Sequence, residues 1–291
     1  MSTYRQMCLE GEKKLRDSRI EEWKLDAWLL AESAFGISRA WYFAHGEEEA
    51  PPEQIQKYWE WIEKRSDHIP LQHLTGQAFF MGMEFSVDER VLIPRQDTEI
   101  LVETALEKIK EPIRLLDMCT GSGCILLSIL YLAKERGISC QGIGADISAE
   151  ALEVAGKNRQ KYRLDARLVE SNLYEKLEGD FDMLVSNPPY IPTGEIEELM
   201  EEVRDHDPIL ALDGREDGLY FYREIIKDAH RYLKPEGWIL LEIGCSQAEE
   251  VMKLLTEHGF TEISVKKDLA GLDRVVTGRR KAIRKQEEEH V

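Results

Sequence analysis

The spacing of hydrophobic and polar positions changes twice along the chain. Up to about residue 68 it is helical. Glu22 to Phe35 carries Trp23, Leu25, Trp28, Leu29 and Leu30 on a broad apolar face, and after Pro51-Pro52 the residues Ile55, Tyr58, Trp59 and Ile62 fall at i, i+3, i+4, i+7. Proline suits a first helical turn, so the second of these helices is expected to open there. Between Pro70 and Pro94 the period drops to two: Phe79, Met81, Met83, Phe85 and Val87 alternate around Gly82, which predicts a β-hairpin. A helix over 98–110 follows. From Ile113 short apolar runs alternate with amphipathic stretches. Strands are predicted over 113–117, 138–146, 166–169, 181–185 and 238–243, helices over 125–132, 149–161, 218–233 and 247–258, and a closing strand pair at 263–266 and 274–277. Strands alternating with helices imply an α/β domain with a mostly parallel sheet covered on both faces. The chain thus divides into a helical N-terminal domain (1–69), a hairpin linker (70–97), an α/β domain (98–279) and a tail (280–291) expected to be disordered.

Composition narrows the partners. No run approaches ~18 consecutive apolar residues, so no membrane helix is expected, and the N-terminus lacks the apolar stretch of a signal peptide. The 5 cysteines (Cys8, Cys119, Cys124, Cys140, Cys245) form no CxxC pair. That fits reduced thiols in a cytoplasmic protein and offers no metal set. The formal charge is −18, with acidic residues recurring along the whole chain, as in Glu47-Glu-Glu49. A protein that grips phosphates carries a basic stripe. The acidic balance argues against direct nucleic-acid binding and favours a basic protein partner or a cationic cofactor.

Two stretches carry candidate chemistry. Thr120-Gly-Ser-Gly123 joins a strand to a helix, and its glycines allow a tight turn and close approach of a ligand to the backbone. Asp146 ends the next strand ~25 residues on, where a carboxylate can bind ribose hydroxyls. Ile125 and Leu126 stand where a dinucleotide-binding loop has its third glycine, which disfavours an NAD oxidoreductase and fits a nucleoside without phosphates. The second stretch is Ser186-Asn-Pro-Pro-Tyr190, following the apolar run Phe181 to Val185. Neither proline has an N–H, both hold φ at about −65°, and Asn187 is pushed towards an extended conformation. The exit presents the Asn187 amide, the Pro188 carbonyl and the Tyr190 ring. Two acceptors can hold both hydrogens of a planar –NH2 group, and Tyr190 can pack on the rest of a planar substrate. As a bare pentapeptide it is equally ordinary turn chemistry. S-adenosylmethionine suits both stretches, with ribose hydroxyls for Asp146, an electrophilic methyl for a nitrogen held at Asn187, and a cationic sulfonium. His206-Asp207-Pro208 reads as a loop turn rather than an acid–base pair, Asp117 as a loop-fixing group or a cofactor contact, and Glu242 as sheet-edge structure.

Pro70-Leu-Gln-His-Leu-Thr-Gly76, Val91-Leu-Ile-Pro-Arg95 through Thr98-Glu99, Leu116-Asp-Met-Cys-Thr-Gly-Ser-Gly123 and Asn187-Pro-Pro-Tyr190 form a joint set with four later segments. These are Asp217-Gly-Leu219 with Tyr222-Arg223, Glu242-Ile-Gly244, Asp268-Leu-Ala-Gly271 and Asp273-Arg-Val-Val276. The set resembles the HemK/PrmC protein-(glutamine-N5) methyltransferases, which act on peptide chain release factors, and it covers nearly the whole chain. Asn-Pro-Pro-Tyr alone is shared with adenine-N6, guanine-N2 and other amino methyltransferases. The resemblance implies a class I S-adenosylmethionine-dependent methyltransferase domain, a hairpin linker and a helical substrate-recognition domain. The substrate would be the glutamine of the release factors' Gly-Gly-Gln motif. It further implies that Cys119, Thr120, Gly121, Ser122, Gly123 and Asp146 hold the cofactor, with Asn172 and Leu173 at its adenine. Asn187 would touch both cofactor and glutamine, and Pro188, Pro189 and Tyr190 would complete the glutamine site. Cys119 departs from the family's usual Gly, Met118 from Leu, and Asn172-Leu-Tyr174 from an Asp-Leu-Phe or Asp-Trp-Phe segment. A ribosomal-protein glutamine or a nucleic-acid base amino group is the alternative target, and a non-catalytic module that keeps the fold is a further one.

Overall fold

The computed structural model describes residues 2–282. Of the expected tail, 283–291 lie outside the described residues, and Arg280 ends the last strand. The described chain forms helices α1 (Tyr4–Asp17), α2 (Trp23–Phe35), α3 (Arg39–His45), α4 (Pro52–Ser66) and α5 (Leu71–Thr75), then the hairpin β1 (Gln77–Phe80) and β2 (Met83–Ser86). It continues through α6 (Glu99–Lys108), β3 (Arg114–Met118), α7 (Cys124–Glu135), β4 (Gln141–Asp146), α8 (Ala149–Tyr162), β5 (Ala166–Glu170) and β6 (Phe181–Ser186). It closes with α9 (Glu201–His206), α10 (Ile209–Leu212), α11 (Tyr220–Tyr232), β7 (Leu233–Glu242), α12 (Ala248–Glu257), β8 (Phe260–Lys267) and β9 (Asp273–Arg280). These elements group into two compact units, one of residues up to Gln77 with Met200–His206, the other of Ala78–Leu199 with the residues from Asp207 on.

In the helical unit, a capping box opens α1: Gln6 N–H donates to Thr3 Oγ1 at 3.2 Å, and Thr3 N–H to Gln6 Oε1 at 3.1 Å. Ser38 caps α3, and Gly36 ends α2 at φ 66°. Leu15, Leu30, Tyr58 and Ile62 are fully buried. Arg65 is buried with them. Its Nε donates to Asp26 at 2.7 Å, and its other nitrogens reach the Ile69 carbonyl and Glu202 of α9. Burial pushes the Asp26 carboxyl up against the opposing pull of Arg65.

The second unit is built on a seven-stranded sheet in the order β5-β4-β3-β6-β7-β9-β8. Its inner pairings are parallel, and β9 runs antiparallel to both of its neighbours. Consecutive strand residues feed opposite faces. Leu115, Met183, Leu240 and Val275 join the core under α6 and α7, while Leu116, Leu184, Leu241 and Val276 join the core under α11 and α12. A strand buried on both faces reads as an unbroken apolar run, as the central strands do in sequence. Two β4 glycines let α7 lie close, since a Cβ at Gly142 would stand 2.4 Å from Leu126 Cδ1 and one at Gly144 2.9 Å from Thr120 Oγ1. The hairpin turns at Met81 and Gly82, both at positive φ, and its Phe80, Met83 and Phe85 belong to the core of this unit.

Some boundaries differ from the sequence expectation. The strand predicted from Ile138 starts at Gln141, because Gly137 (φ 79°) and the Ile138 N–H, bonded to the Ala133 carbonyl at 2.9 Å, finish α7 first. The closing strands are longer than predicted, and α9 and α10 stand in a stretch with no periodic signal. Within the helical unit, a Cβ at Gly11 would lie 2.1 Å from the Tyr58 hydroxyl. Gly11→Ala therefore should destabilise this unit by about 1–3 kcal/mol, read as a lower denaturation midpoint for the far-ultraviolet helical signal.

Candidate active site

The parallel register brings the chemistry to one edge. Met118 of β3 pairs with Ala145 of β4 and with Ser186 of β6, and Ser186 pairs with Leu241 of β7. The next residue on each strand, Cys119, Asp146, Asn187 and Glu242, thus stands at the carboxyl edge, where open α/β sheets hold their ligands. The Ser186 hydroxyl donates to the Met118 carbonyl at 2.6 Å and ties the β6 exit to the loop after β3.

That loop is held from below by Asp117. Its Oδ2 accepts the Thr120 hydroxyl at 2.6 Å and the Leu126 N–H at 3.3 Å, the latter in the first turn of α7, whose N-cap Gly123 has no side chain. Asp117 is fully buried, Oδ1 has no hydrogen-bond partner, and burial pushes its pKa up to about 7. The sequence left Asp117 open between two roles; in this structure it fixes the loop. Cys119, Gly121 and Gly123 all have left-handed φ (62°, 53° and 79°). Only Cys119 carries a Cβ there, at the position where the resembled family has glycine. Burial, with Asp146 and Asp117 nearby, raises the Cys119 thiol pKa, which suits a packing residue better than a nucleophile. Asp146 accepts the Gly121 N–H at 2.8 Å and the Ser148 N–H at 3.0 Å, which closes the loop over β4. A carboxylate so bonded keeps lone pairs for further donors.

The β6 exit is clamped downstream. Gln247 donates to the Tyr190 carbonyl at 2.9 Å. A Cβ on Gly218 would stand 2.3 Å from that carbonyl oxygen, and one on Gly214 2.8 Å from the Tyr190 backbone. Asn187 is half-buried, and its Nδ2 donates to the Thr98 hydroxyl at 3.4 Å.

A cavity of about 370 Å³ opens at this edge, in the size range of small-ligand sites. Cys119, Thr120, Gly121, Ser122, Asp146, Asn172, Leu173, Asn187 and Pro189 are on its wall. Gly123, Pro188 and Tyr190 are not. Pro188 is buried behind the wall, and the Tyr190 ring lies against Gly244. Sequence reading missed Thr98, Ile147, Ser171 and Tyr220 on the wall. Of these, Ser171 binds the Leu173 carbonyl at 2.7 Å and shapes the loop that carries Asn172. The arginines on the wall are ion-paired, Arg90 with Asp88 and Glu153, Arg95 with Asp207, and Arg215 with Asp213. Asp207, expected in a plain turn, thus anchors Arg95. The donor set fits S-adenosylmethionine: a carboxylate at the end of β4, open space beside the Gly121 backbone, and apolar wall from Ile147 and Leu173.

Residues 95–206 match the model of a methyltransferase small domain, and residues 6–76 that of the PrmC N-terminal domain. Among solved structures, a methyltransferase from Pyrococcus furiosus shares the fold at a TM-score of 0.53 and 19% identity, covering 76% of this chain and 100% of that one. The 16S rRNA N2 G1207 methyltransferase of T. thermophilus, solved with S-adenosylmethionine and guanosine, shares it at 0.51 and 17%, covering 70% of this chain and 50% of that one. Fold and site together define a class I S-adenosylmethionine-dependent methyltransferase with a helical N-terminal unit. The release factor glutamine methyltransferase of Geobacter sulfurreducens is 40% identical over 271 residues, 92% of each chain. That of Clostridium acetobutylicum is 41% identical over 269 residues, 90% of this chain and 93% of its own. The chain belongs to the release factor glutamine methyltransferase family.

Asp117 also makes a testable contribution to stability. Its carboxyl rises from 3.8 in the unfolded chain to about 7 in the fold. Between those values the folded protein holds a proton that the unfolded chain has lost. The contribution is therefore complete below the lower value and is lost as pH rises through the upper one. Asp117→Asn should flatten the fall in melting temperature between about pH 4 and about pH 7; a slope equal to that of the unsubstituted protein would contradict this account.

Proposed function

We propose that this protein transfers a methyl group from S-adenosylmethionine to the side-chain amide nitrogen (N5) of the glutamine in the Gly-Gly-Gln motif of peptide chain release factors. The observation that carries this reading is the meeting of Asn187 with Cys119–Ser122 of the loop after β3 and with Asp146 in one cavity, in a chain of this family. Bound S-adenosylmethionine supplies an electrophilic methyl on a cationic sulfur. Cys119 to Gly123 and Asp146 hold it, with Asn172 and Leu173 at its base.

An amide nitrogen is a poor nucleophile because its lone pair is delocalised into the carbonyl. Asn187 Oδ1 and the Pro188 carbonyl accept its two N–H groups, fix the lone pair towards the methyl, and stabilise the positive charge that develops on those hydrogens. Pro189, on the cavity wall, shapes the glutamine site, and Tyr190 supports it from behind against Gly244. As the nitrogen–carbon bond forms and the sulfur–carbon bond breaks, the excess proton leaves the nitrogen for solvent.

We assign recognition of the release factor to the helical region 1–69, with 70–97 as the linker and 98–279 as the catalytic domain. The reading makes the protein cytoplasmic, where release factors act. Among the described residues no helix is long and apolar enough to cross a membrane. The net charge of −18 supports a protein partner over direct nucleic-acid binding.

Incubated with a recombinant release factor and S-adenosylmethionine, the protein should add one methyl to the Gly-Gly-Gln glutamine, located by peptide mass spectrometry. An unmodified glutamine alongside intact cofactor binding would move the target to a ribosomal-protein glutamine or a base amino group. Asn187→Ala should lower turnover at least ~100-fold with a smaller change in cofactor affinity, and near-normal turnover would remove Asn187 from this role.

A further inference from the structure

Asn187 can serve as described only if its amide is turned the right way. Oxygen must face the cavity and nitrogen the protein. Nothing in the Asn-Pro-Pro-Tyr backbone decides this, because the two ends of an amide have nearly the same shape.

The surroundings of Glu242 decide it. Glu242 ends β7, beside the β6 exit, and is 2% exposed. Its carboxylate faces the Thr98 hydroxyl and the Asn187 amide, both of which favour its charged form. Asn187 Nδ2 also donates to Thr98 Oγ1 at 3.4 Å. Thr98, 2% exposed, has one proton to give. With its oxygen accepting from Asn187, that proton points to Glu242. The Asn187 nitrogen is then held inside the protein, bonded to Thr98 Oγ1 and beside the Glu242 carboxylate, so the oxygen is the free end. The carboxylate backbone is held in turn, since the Tyr222 hydroxyl donates to the Glu242 carbonyl at 2.8 Å.

We propose that Glu242 and Thr98 are positioning residues, which hold the Asn187 amide with its nitrogen inward and its oxygen presented to the glutamine. The proposal deepens the reading given above and rests on it for its catalytic consequence. An ionised carboxylate only accepts, so it enforces this orientation; a protonated one can donate to Asn187 Oδ1 and permits the reverse. Glu242 Oε2 is buried without a partner, so the carboxylate is incompletely satisfied as an anion. Burial pushes the Glu242 pKa up to about 7, against the pull of Thr98, Arg274 and Asn187 and with the push of Asp97. Arg274 is itself shared between Asp97 and Asp268, both at 3.0 Å. Tyr190, Tyr222 and Cys124 are the remaining titratable groups that feel Glu242, and burial raises each of them, so they stay neutral where Glu242 titrates. The orientation is therefore enforced above about pH 7 and released below it.

The test has an arm that needs no substrate. In the free protein, the Asn187 side-chain amide resonances, assigned by their loss in Asn187→Asp, should shift with pH around the Glu242 midpoint. Glu242→Gln should abolish that shift, Thr98→Val should move its midpoint upward by removing a group that favours the carboxylate, and Thr98→Ser should restore it. Absence of the shift, or its persistence in Glu242→Gln, overturns the proposal. In turnover, Glu242→Gln should lower kcat at least ~10-fold at high pH with KM and cofactor affinity nearly unchanged, and should lose the acid limb of the kcat profile. An unaltered kcat and limb in Glu242→Gln overturn it, as does a parallel loss of kcat, cofactor affinity and melting temperature. Absence of turnover in the unsubstituted enzyme would instead refute the release-factor reading, and the resonance arm would still decide this one.

Discussion

The pairing of β3 with β6 is the constraint on which the site depends. Parallel hydrogen bonding from Leu115↔Met183 to Met118↔Ser186 leaves no freedom in which residue stands beside the Thr-Gly-Ser-Gly loop. A shift of one residue would turn Leu184 and Val185 to the wrong cores, because side chains alternate between faces. The register is thus set by the apolar cores, tens of residues away in sequence, and the edge inherits its geometry from them. The Ser186 hydroxyl on the Met118 carbonyl finishes the job locally. Asn187 needs no motion of its own to meet the cofactor loop.

Several polar groups at that edge are buried. Asp117, Ser122, Ser186 and Glu242 are each at most 2% exposed. Each carboxylate answers a local need. Asp117 caps a helix that has no side chain at its N-cap, Asp146 ties two loops, and Glu242 fixes an amide. Burying them raises their affinity for protons, so the architecture that orders the site also makes it sensitive to pH near neutrality.

Much of this was legible in the chain. The central strands announced themselves because burial on both faces makes them unbroken apolar runs, and the turn after β3 because glycine is the natural residue for left-handed backbone. Other features were not. The late start of β4 depends on Gly137 and Ile138 completing a helix first. The short helices α9 and α10 have no periodic apolar face to announce them; α9 buries no residue and α10 only Leu212. The course of the chain after Asn187 is set by Gly214, Gly218 and Gln247, so no local reading of the pentapeptide could say that Pro189 reaches the cavity wall while Tyr190 turns to Gly244. Thr98, Asn187 and Glu242 are far apart in sequence; the β6–β7 register brings the last two together, and the turn before α6 brings Thr98 to them. Other quoted motif residues prove to be braces, with Asp217 paired to Arg223 and Asp268 to Arg274.

The Arg65 pairing has a consequence for how the molecule comes into being. Arg65 sits in the first compact unit, yet one of its carboxylate partners, Glu202, lies more than a hundred residues later in the chain. During synthesis the N-terminal helices emerge long before that partner does. They can gather around Asp26, Leu30 and Tyr58, but their electrostatic complement is complete only after β3 to β6 have left the ribosome. The helical unit therefore completes its ion pairing late. Its last ion pair closes on a segment that follows the catalytic motif, so completion of the first unit reports that the Asn187 strand has already been made.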